Sequence, residues 1–126
     1  MSSWYSDLDA MRRDDAYLQA IYQTLRSDMP RILQACIQDV HVYPSLRCTY
    51  TIAKKRIFIR VRDDNGNFMP ACALRHILIH ELAHIVNVTV GHDQHFYDWM
   101  DWIRDHQTGH HDCPNSVPRQ YNPCTD

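Results

Sequence analysis

The sequence predicts one α+β domain in which a small antiparallel or mixed sheet packs on a long apolar helix with flanking helices. Three patterns in the 126-residue chain lead to this fold class. Apolar residues recur at helical spacing over residues 6–27, alternate with polar ones within residues 40–62, and form a run without Pro or Gly over residues 71–90. A chain of this length has room for one hydrophobic core. We therefore expect residues 1–105 to form a single domain.

Two helical segments are expected near the N-terminus. Residues 6–27 have the apolar spacing of an amphipathic helix, and Ser6 can cap it. Met29 and Pro30 interrupt the pattern, and residues 32–37 then carry enough apolar side chains for one or two further helical turns. The longer helix is expected to cover the core.

Three short segments with alternating character follow and are predicted to be strands. They lie at residues 40–43, 48–52 and 56–62, and residues 54–55 are expected to form the tight turn between the last two. In the last segment, aliphatic side chains share one face and three Arg with one Phe share the other: Ile57, Ile59 and Val61 against Arg56, Phe58, Arg60 and Arg62. We expect the aliphatic face to lie on the long apolar helix and the basic face to be solvated. A nucleic-acid-binding patch is the alternative interpretation of the basic face.

The apolar run contains the motif H-E-x-x-H at residues 80–84. Helix residues four apart lie on the same face, so the imidazoles of His80 and His84 can converge on one metal ion. Glu81 would then stand beside them. Two neutral nitrogens on zinc and an unligated carboxylate that takes a proton from the zinc-bound water are typical of a zinc hydrolase. Because the motif fixes few positions and can occur by chance, the surrounding sequence has to show whether it marks a metal site.

The loop after this helix offers a third ligand, which a catalytic zinc usually has. Gly91 can end the helix, and His92 would then stand at the start of a second helix, facing back toward the first. That second helix is predicted over residues 93–105. His95 follows His92 by one helical turn and is the alternative ligand. His76 lies one turn before the motif and is expected to act near the metal without binding it.

Composition narrows the classes of function. The formal net charge of −2 does not match the strongly basic character of a dedicated nucleic-acid-binding protein. Five Cys, an odd number without a C-x-x-C pair, imply no disulfide framework. No secretory signal and no membrane-spanning run is recognised. We therefore expect an intracellular protein, in the cytoplasm or nucleus, with reduced thiols.

The last segment of the chain, residues 106–126, is polar, contains three Pro and lacks periodicity, so it is predicted to be a loop or a disordered tail. It carries His110, His111, Cys113 and Cys124, whose side chains can bind zinc. A second, structural zinc is one interpretation of this group. Another is that a tail thiolate occupies the open position on the catalytic zinc and blocks the enzyme.

Residues 56–62, 78–84 and 91–97 together resemble the WLM metallopeptidase domain, a relative of the SprT-like proteases. The similarity covers about residues 15–105. In that family the last block reads roughly G-P-H-D-x-x-F and its His is the third zinc ligand, so the resemblance favours His92. This chain has two extra residues before that position and lacks the proline, which keeps the alternative ligand open.

The resemblance implies a minimal zincin-like fold and a zinc endopeptidase whose relatives digest proteins crosslinked to DNA. One catalytic Zn²⁺ would be held by His80, His84 and His92, and Glu81 would move the proton. The candidates for stabilising the transition state are His76, His95 and Tyr97.

The expected partners are a protein or peptide substrate and, through the resemblance, DNA. An extended substrate would add as a strand beside residues 56–62 if that segment is a sheet edge, with Phe58, Arg60 and Arg62 forming the substrate strand. These Arg side chains would favour acidic or DNA-linked substrates. The alternative function is a zinc-stapled DNA-binding or regulatory module of the same fold with little turnover. No oligomeric state is predicted.

Overall fold

A computed structural model of the chain describes residues 5–88 and 91–107. Within these residues four helices and three strands follow in the order α1 (Leu8–Ser27), α2 (Arg31–Cys36), β1 (His41–Ser45), β2 (Tyr50–Ile52), β3 (Arg56–Arg60), α3 (Ala71–Val86) and α4 (Gln94–Asp105). The α+β class is confirmed, and the arrangement is compatible with a minimal zincin-like fold. The predicted elements all form, with boundaries shifted by up to two residues.

The sheet is mixed, and β3 is its central strand. β1 pairs with β3 in parallel, from His41 opposite Arg56 to Ser45 opposite Arg60. β2 pairs antiparallel with the other side of β3, with Tyr50 opposite Phe58. The strand order is therefore β1-β3-β2.

This strand order corrects the prediction that a substrate adds beside residues 56–62. β1 pairs with all of β3 on one side and β2 with Arg56–Phe58 on the other, so β3 is not a sheet edge in the described part of the chain. Phe58, Arg60 and Arg62 therefore do not form a substrate strand. Phe58 instead stacks between the rings of Tyr43 and Tyr50, at centroid distances of 5.2 and 4.9 Å.

The expectation of a solvated basic face is also wrong for two of its three Arg. Arg60 is buried, and its guanidinium donates to Asp64 at 2.7 Å and to the backbone oxygen of Arg62 at 2.7 Å. Arg62 donates to the buried carboxylate of Asp14 at 3.0 Å and lies over the ring of Phe68 at 3.9 Å. Two of the three Arg charges of this face are therefore paired with carboxylates of the same domain, which weakens the case for a nucleic-acid-binding patch there.

The helix α1 packs on the sheet and covers its β1 edge. Asp7, not Ser6, caps α1, because the Asp7 carboxylate accepts from the backbone N–H of Asp9 at 2.9 Å. Further along, Gln19 donates to the backbone oxygen of Val42 in β1 at 2.8 Å. In the parallel β1–β3 register this oxygen points away from β3, so an α1 side chain blocks the outer edge of β1.

The β2–β3 hairpin is fixed to the end of α3. Its turn has two non-glycine residues in the left-handed region, Ala53 at φ 55° and Lys54 at φ 57°. Lys55 closes the turn by donating its backbone N–H to Ile52 at 3.0 Å. The ammonium of Lys54 donates to the backbone oxygen of Asn87, which caps α3, at 3.2 Å. The edge strand β2 therefore keeps a set position relative to α3.

The hydrophobic core lies between α3, the sheet, α1 and α4. Side chains from the three helices and from the sheet are fully buried in it, among them Leu18, Ile57, Ile59, Leu74, Leu78, Leu82 and Phe96. α3 begins directly after Pro70 and ends at Val86, so it forms within the apolar run of residues 71–90. Each described helix is too short or too polar to traverse a lipid bilayer.

The expectation of reduced thiols is wrong for two cysteines. Cys48, which follows β1, and Cys72, in the first turn of α3, are disulfide-bonded, whereas Cys36 is a free and exposed thiol. Spacing patterns reveal only cysteines that are close in sequence, whereas a disulfide needs proximity in the fold. Because disulfides persist mainly in oxidising environments, this finding counts against the expected reducing interior.

The predicted C-terminal tail falls largely outside the described residues, and so do His110, His111, Cys113 and Cys124. Its first two residues belong to the folded part. His106 caps α4, and the buried side chain of Gln107 donates to the backbone oxygen of Leu25 at 3.3 Å.

The buried carboxylate of Asp14 should contribute measurably to stability. It accepts hydrogen bonds from Tyr5 at 2.6 Å and from Arg62 at 3.0 Å while only 1% exposed. We expect Asp14→Asn to lower the free energy of unfolding by about 2 kcal/mol, since it weakens two charge-assisted bonds in a buried place. Urea denaturation measures this change. Asp9→Asn, an exposed carboxylate 3.9 Å from Arg12, should cost about 0.5 kcal/mol or less, and equal losses would contradict the assignment.

Candidate metal centre

The first two histidines of the site lie one turn apart on α3. His80 and His84 are half-buried, and their Nε2 atoms are 3.2 Å apart. Between and beside them, Ile77, Leu78 and Leu82 are buried in the core. Packing of this apolar side therefore turns the histidine side of the helix toward the surface.

The third histidine is placed by the loop between α3 and α4. Gly91 adopts a left-handed φ of 85°, which glycine tolerates and which lets the chain reverse before α4. Asp93 then caps α4 by accepting the backbone N–H of Phe96 at 2.9 Å. His92, directly before this cap, has its Nε2 atom 3.0 Å from the Nε2 atom of His84.

The three imidazoles have the geometry of a zinc site. One ligand atom from each of His80, His84 and His92 lies within 4.8 Å of the other two, and the two shortest separations are 3.2 and 3.0 Å. Two nitrogens on a tetrahedral zinc, each about 2.0–2.1 Å from the ion, would be roughly 3.3 Å apart. Three nitrogen donors are also the set that a catalytic zinc takes when its fourth position is left for water.

The alternative ligand His95 does not join this cluster. It is exposed on α4 and lines a separate apolar groove of about 500 Å³ together with Trp99 and Trp102. The metal-ligand cluster found in the described part of the chain contains the other three histidines and not this one. Of the two candidates for a third ligand, the geometry therefore selects His92.

The buried ring of Phe96 supports all three imidazoles. Its centroid lies 5.0 Å from that of His80, 4.4 Å from His84 and 4.8 Å from His92, and Phe96 is fully buried. An apolar ring at this distance restricts the imidazole orientations by packing. The sequence did not indicate this contact, because the apolar spacing of α4 carries no sign of which residues of α3 it meets.

Glu81 is buried beside the histidines and bonded to the edge strand. It is the only glutamate in the chain and is 1% exposed. Thr51 of β2 donates its hydroxyl to Oε2 of Glu81 at 2.6 Å. Sequence reasoning missed Thr51, since 30 residues separate the two and no local spacing pattern relates a strand hydroxyl to a helix carboxylate.

A surface cleft of about 250 Å³ adjoins the histidine cluster. It is lined by His76, His80, His92, Tyr97, Met100, Asp101 and Arg104. The cleft thus brings two of the three ligand candidates together with polar side chains from α4, and it gives a bound molecule access to the centre.

His76 stands in this cleft as a neutral ring. Burial first, then the positive charge of Arg104 and the electrostatic effect of His80, lower the pKa of His76 to about 4. Near neutral pH its Nδ1 can therefore accept a hydrogen bond from the guanidinium of Arg104, 3.2 Å away. Arg104 is a second residue that the sequence did not single out.

The three candidates for stabilising a transition state separate by position. His76 and Tyr97 line the cleft, and the half-exposed phenol of Tyr97 is open to a ligand there. His95 lines the other groove. Two of the three expected residues are therefore brought to the site.

Comparison with known proteins gives one finding. The family model described as the WLM domain matches residues 51–113, which is half of the chain. The match spans β2, β3, α3 and α4 and so includes every residue of the histidine cluster and Glu81. WLM domains are associated with zinc metallopeptidase-like function. No curated protein and no solved structure matches the chain significantly.

The choice between the two candidate ligands can be tested by zinc affinity. His92→Ala should weaken zinc binding by more than about 100-fold, because losing a ligand costs more than the roughly 10- to 100-fold loss from changing a ligand's hydrogen-bond partner. His95→Ala should stay within about threefold of the unmodified protein. Competition with a chromophoric chelator measures both constants. The reverse order of effects would show that the structure assigns the wrong histidine.

Proposed function

Because the chain belongs to the WLM domain family, we propose that it is a zinc-dependent endopeptidase that hydrolyses peptide bonds with an activated water. The observation that carries this proposal is the convergence of the imidazole nitrogens of His80, His84 and His92, two of which line an open cleft. The residue that follows His80 is the buried glutamate Glu81. A site that only stabilises the fold needs no such carboxylate next to its ligands.

In this proposal His80, His84 and His92 hold one zinc ion as neutral imidazoles. The ion would supply a Lewis acid for the scissile carbonyl and would lower the pKa of a coordinated water to about 7. The three side chains come from α3 and from the loop before α4, and Phe96 packs against each ring. The protein therefore contributes a preformed donor set on rigid elements.

Glu81 is the general base and then the general acid. It follows His80 directly on α3, and its carboxylate is buried and bonded to Thr51. It would take the proton from the attacking water and pass it to the leaving amine of the substrate. No other glutamate exists in the chain to take over this task.

The substrate is proposed to pair with β2 in place of β3. Among the described strands β2 is one of the two edges, and the other, β1, has a backbone oxygen of its outer side bonded to Gln19. β2 also touches the base, through Thr51. An extended peptide added to β2 would be held by backbone hydrogen bonds, with its peptide bond close to Glu81 and without a required sequence.

Tyr97 is the proposed donor to the oxyanion. Its phenol is half-exposed in the cleft beside His80 and His92, whereas the Nδ1 atom of His76 faces Arg104. A hydroxyl that bonds the substrate oxygen only as negative charge develops would raise kcat more than it lowers KM.

Action on proteins crosslinked to DNA is a narrower proposal that rests on the family resemblance alone. The Arg60 and Arg62 charges, which sequence reasoning offered as a contact for acidic or DNA-linked substrates, are compensated inside the domain. A peptidase assay with and without DNA therefore has to decide it. If the protein binds DNA but cleaves no peptide bond, the result favours the alternative function, a zinc-stapled DNA-binding module with little turnover.

The principal test is Glu81→Gln. Gln keeps the shape of the side chain and can still accept the hydrogen bond from Thr51, but it cannot take a proton from water. We therefore expect kcat/KM to fall by about 10³-fold, which is within the range for loss of a general base. One zinc should be retained. Cleavage of a fluorescence-quenched unfolded protein, with and without single-stranded DNA, measures activity, and metal analysis measures zinc.

Asp98→Asn provides the matched control for this test. It also changes a carboxylate to an amide, but on an exposed position of α4, where Asp98 accepts from Gln94 at 2.8 Å. Its activity should equal that of the unmodified protein. If Glu81→Gln and the unmodified protein cleave alike, or neither cleaves when loaded with zinc, the peptidase proposal is wrong.

Tyr97→Phe tests the oxyanion donor. It should lower kcat by roughly 100-fold, as expected for removal of one such donor, and leave KM within about twofold. Tyr43→Phe, which removes a hydroxyl on the outer face of the sheet, should change neither constant. Steady-state kinetics on one peptide substrate give both values, and an unchanged kcat for Tyr97→Phe would exclude the role.

A further inference from the structure

We propose that Thr51 is a positioning residue, whose hydroxyl holds the carboxylate of Glu81 in one place beside the metal centre. The inference rests on the proposed function and deepens it, because it assigns a task to a residue outside the H-E-x-x-H motif. Its basis is the 2.6 Å hydrogen bond from Thr51 to Oε2 of a glutamate that is 1% exposed.

The register of the sheet determines where the hydroxyl points. Thr51 lies opposite Ile57, and Ile57 lies opposite Val42, so the three side chains form one row across the sheet. Ile57 and Val42 are buried in the core that faces α3. Side chains opposite each other share a face, so Thr51 is on the same side, at the β2 end of the row. The row thus ends in a hydroxyl at the place where α3 presents a carboxylate.

The donor is held more rigidly than the acceptor. Threonine is branched at Cβ and has restricted χ1 rotamers in a strand, whereas a glutamate side chain has three rotatable torsions. The hairpin carrying Thr51 is itself attached to the end of α3, by the Lys54 ammonium bonded to the Asn87 backbone oxygen at 3.2 Å. The position of β2 therefore limits where Oε2 of Glu81 can lie.

This contact has a direct consequence for the reaction. With Oε2 held by Thr51, rotation of the carboxylate is restricted, and the direction from which it meets a water is set. Misplacing a reacting group by about 1 Å can cost roughly 100-fold in rate. Because the substrate is also proposed to pair with β2, Thr51 would link the bound peptide to the proposed base, Glu81.

The kinetic experiment compares Thr51→Val with Thr51→Ser. Val keeps the shape and removes the donor, so kcat should fall by about 10- to 100-fold while KM stays within about twofold and one zinc is bound. Ser restores a hydroxyl and should recover kcat to within about threefold. A rise in KM with unchanged kcat would instead place Thr51 in substrate binding, and failure of Ser to recover kcat would also overturn the proposal.

Thr49→Val is the matched control for structural damage. Thr49 is 2% exposed, and its hydroxyl oxygen accepts the backbone N–H of Arg60 at 3.1 Å, so this variant loses a buried hydrogen bond next to β2 without touching Glu81. It should lower thermal stability and leave kcat unchanged. If it lowers kcat as much as Thr51→Val does, the effect is general destabilisation and the proposal fails.

A readout without activity separates this proposal from the peptidase proposal. Because Glu81 is the only glutamate, protein labelled with carboxyl-¹³C glutamate gives one side-chain carboxyl resonance, which can be followed in the metal-free protein. Thr51→Val should shift or broaden it, and Thr51→Ser and Thr49→Val should not. Crystal structures should show the Glu81 carboxylate displaced in Thr51→Val only, with Thr51→Ala in its place if Thr51→Val does not fold. An unmoved resonance and carboxylate would overturn the positioning role, even if no peptide is ever cleaved.

Discussion

Burial of the apolar side of α3 is the constraint on which the rest of the structure depends. Leu74, Leu78 and Leu82 are fully buried in the core, and burying each such side chain contributes about 1.5–3 kcal/mol. Turning the helix to redirect its histidines would expose these side chains. The free energy of burial lost in this way would be a large fraction of the net stability of a small domain. The core therefore decides the direction of His80 and His84. The loop and the Phe96 ring then need to bring only one more imidazole to them.

The order of the strands determines where a substrate can be held. Within residues 5–88 and 91–107, β3 is central and β1 has an α1 side chain on its outer edge, so β2 offers the more open edge for pairing. The same short strand contacts Glu81 through Thr51 and is attached to α3 through its turn. The edge strand is thus connected to α3 both at Glu81 and at the C-terminal end of the helix, and in the proposed function this connection would help to preorganise the site.

Charge within the domain is used mainly for internal contacts. Asp14, buried on α1, binds Arg62, and Arg60 extends to Asp64, so two of the three Arg on this sheet face are paired locally. The cleft beside the histidines keeps Arg104 and a neutral His76. Among the described residues, the charged groups of the cleft therefore come from α4, and the basic strand has little part in it.

The sequence by itself determined the helices, the strands and the convergence of His80 with His84, because these depend on periodicities of a few residues within one element. It also limited the third ligand to two histidines near one glycine. Only the tertiary structure decided that His92 and not His95 completes the set, that β3 is central, that Arg60 is buried, and that Thr51 holds Glu81. Alternation of side chains is the same in an edge strand and a central one, and a contact between residues 30 apart depends on register and packing that no local pattern encodes.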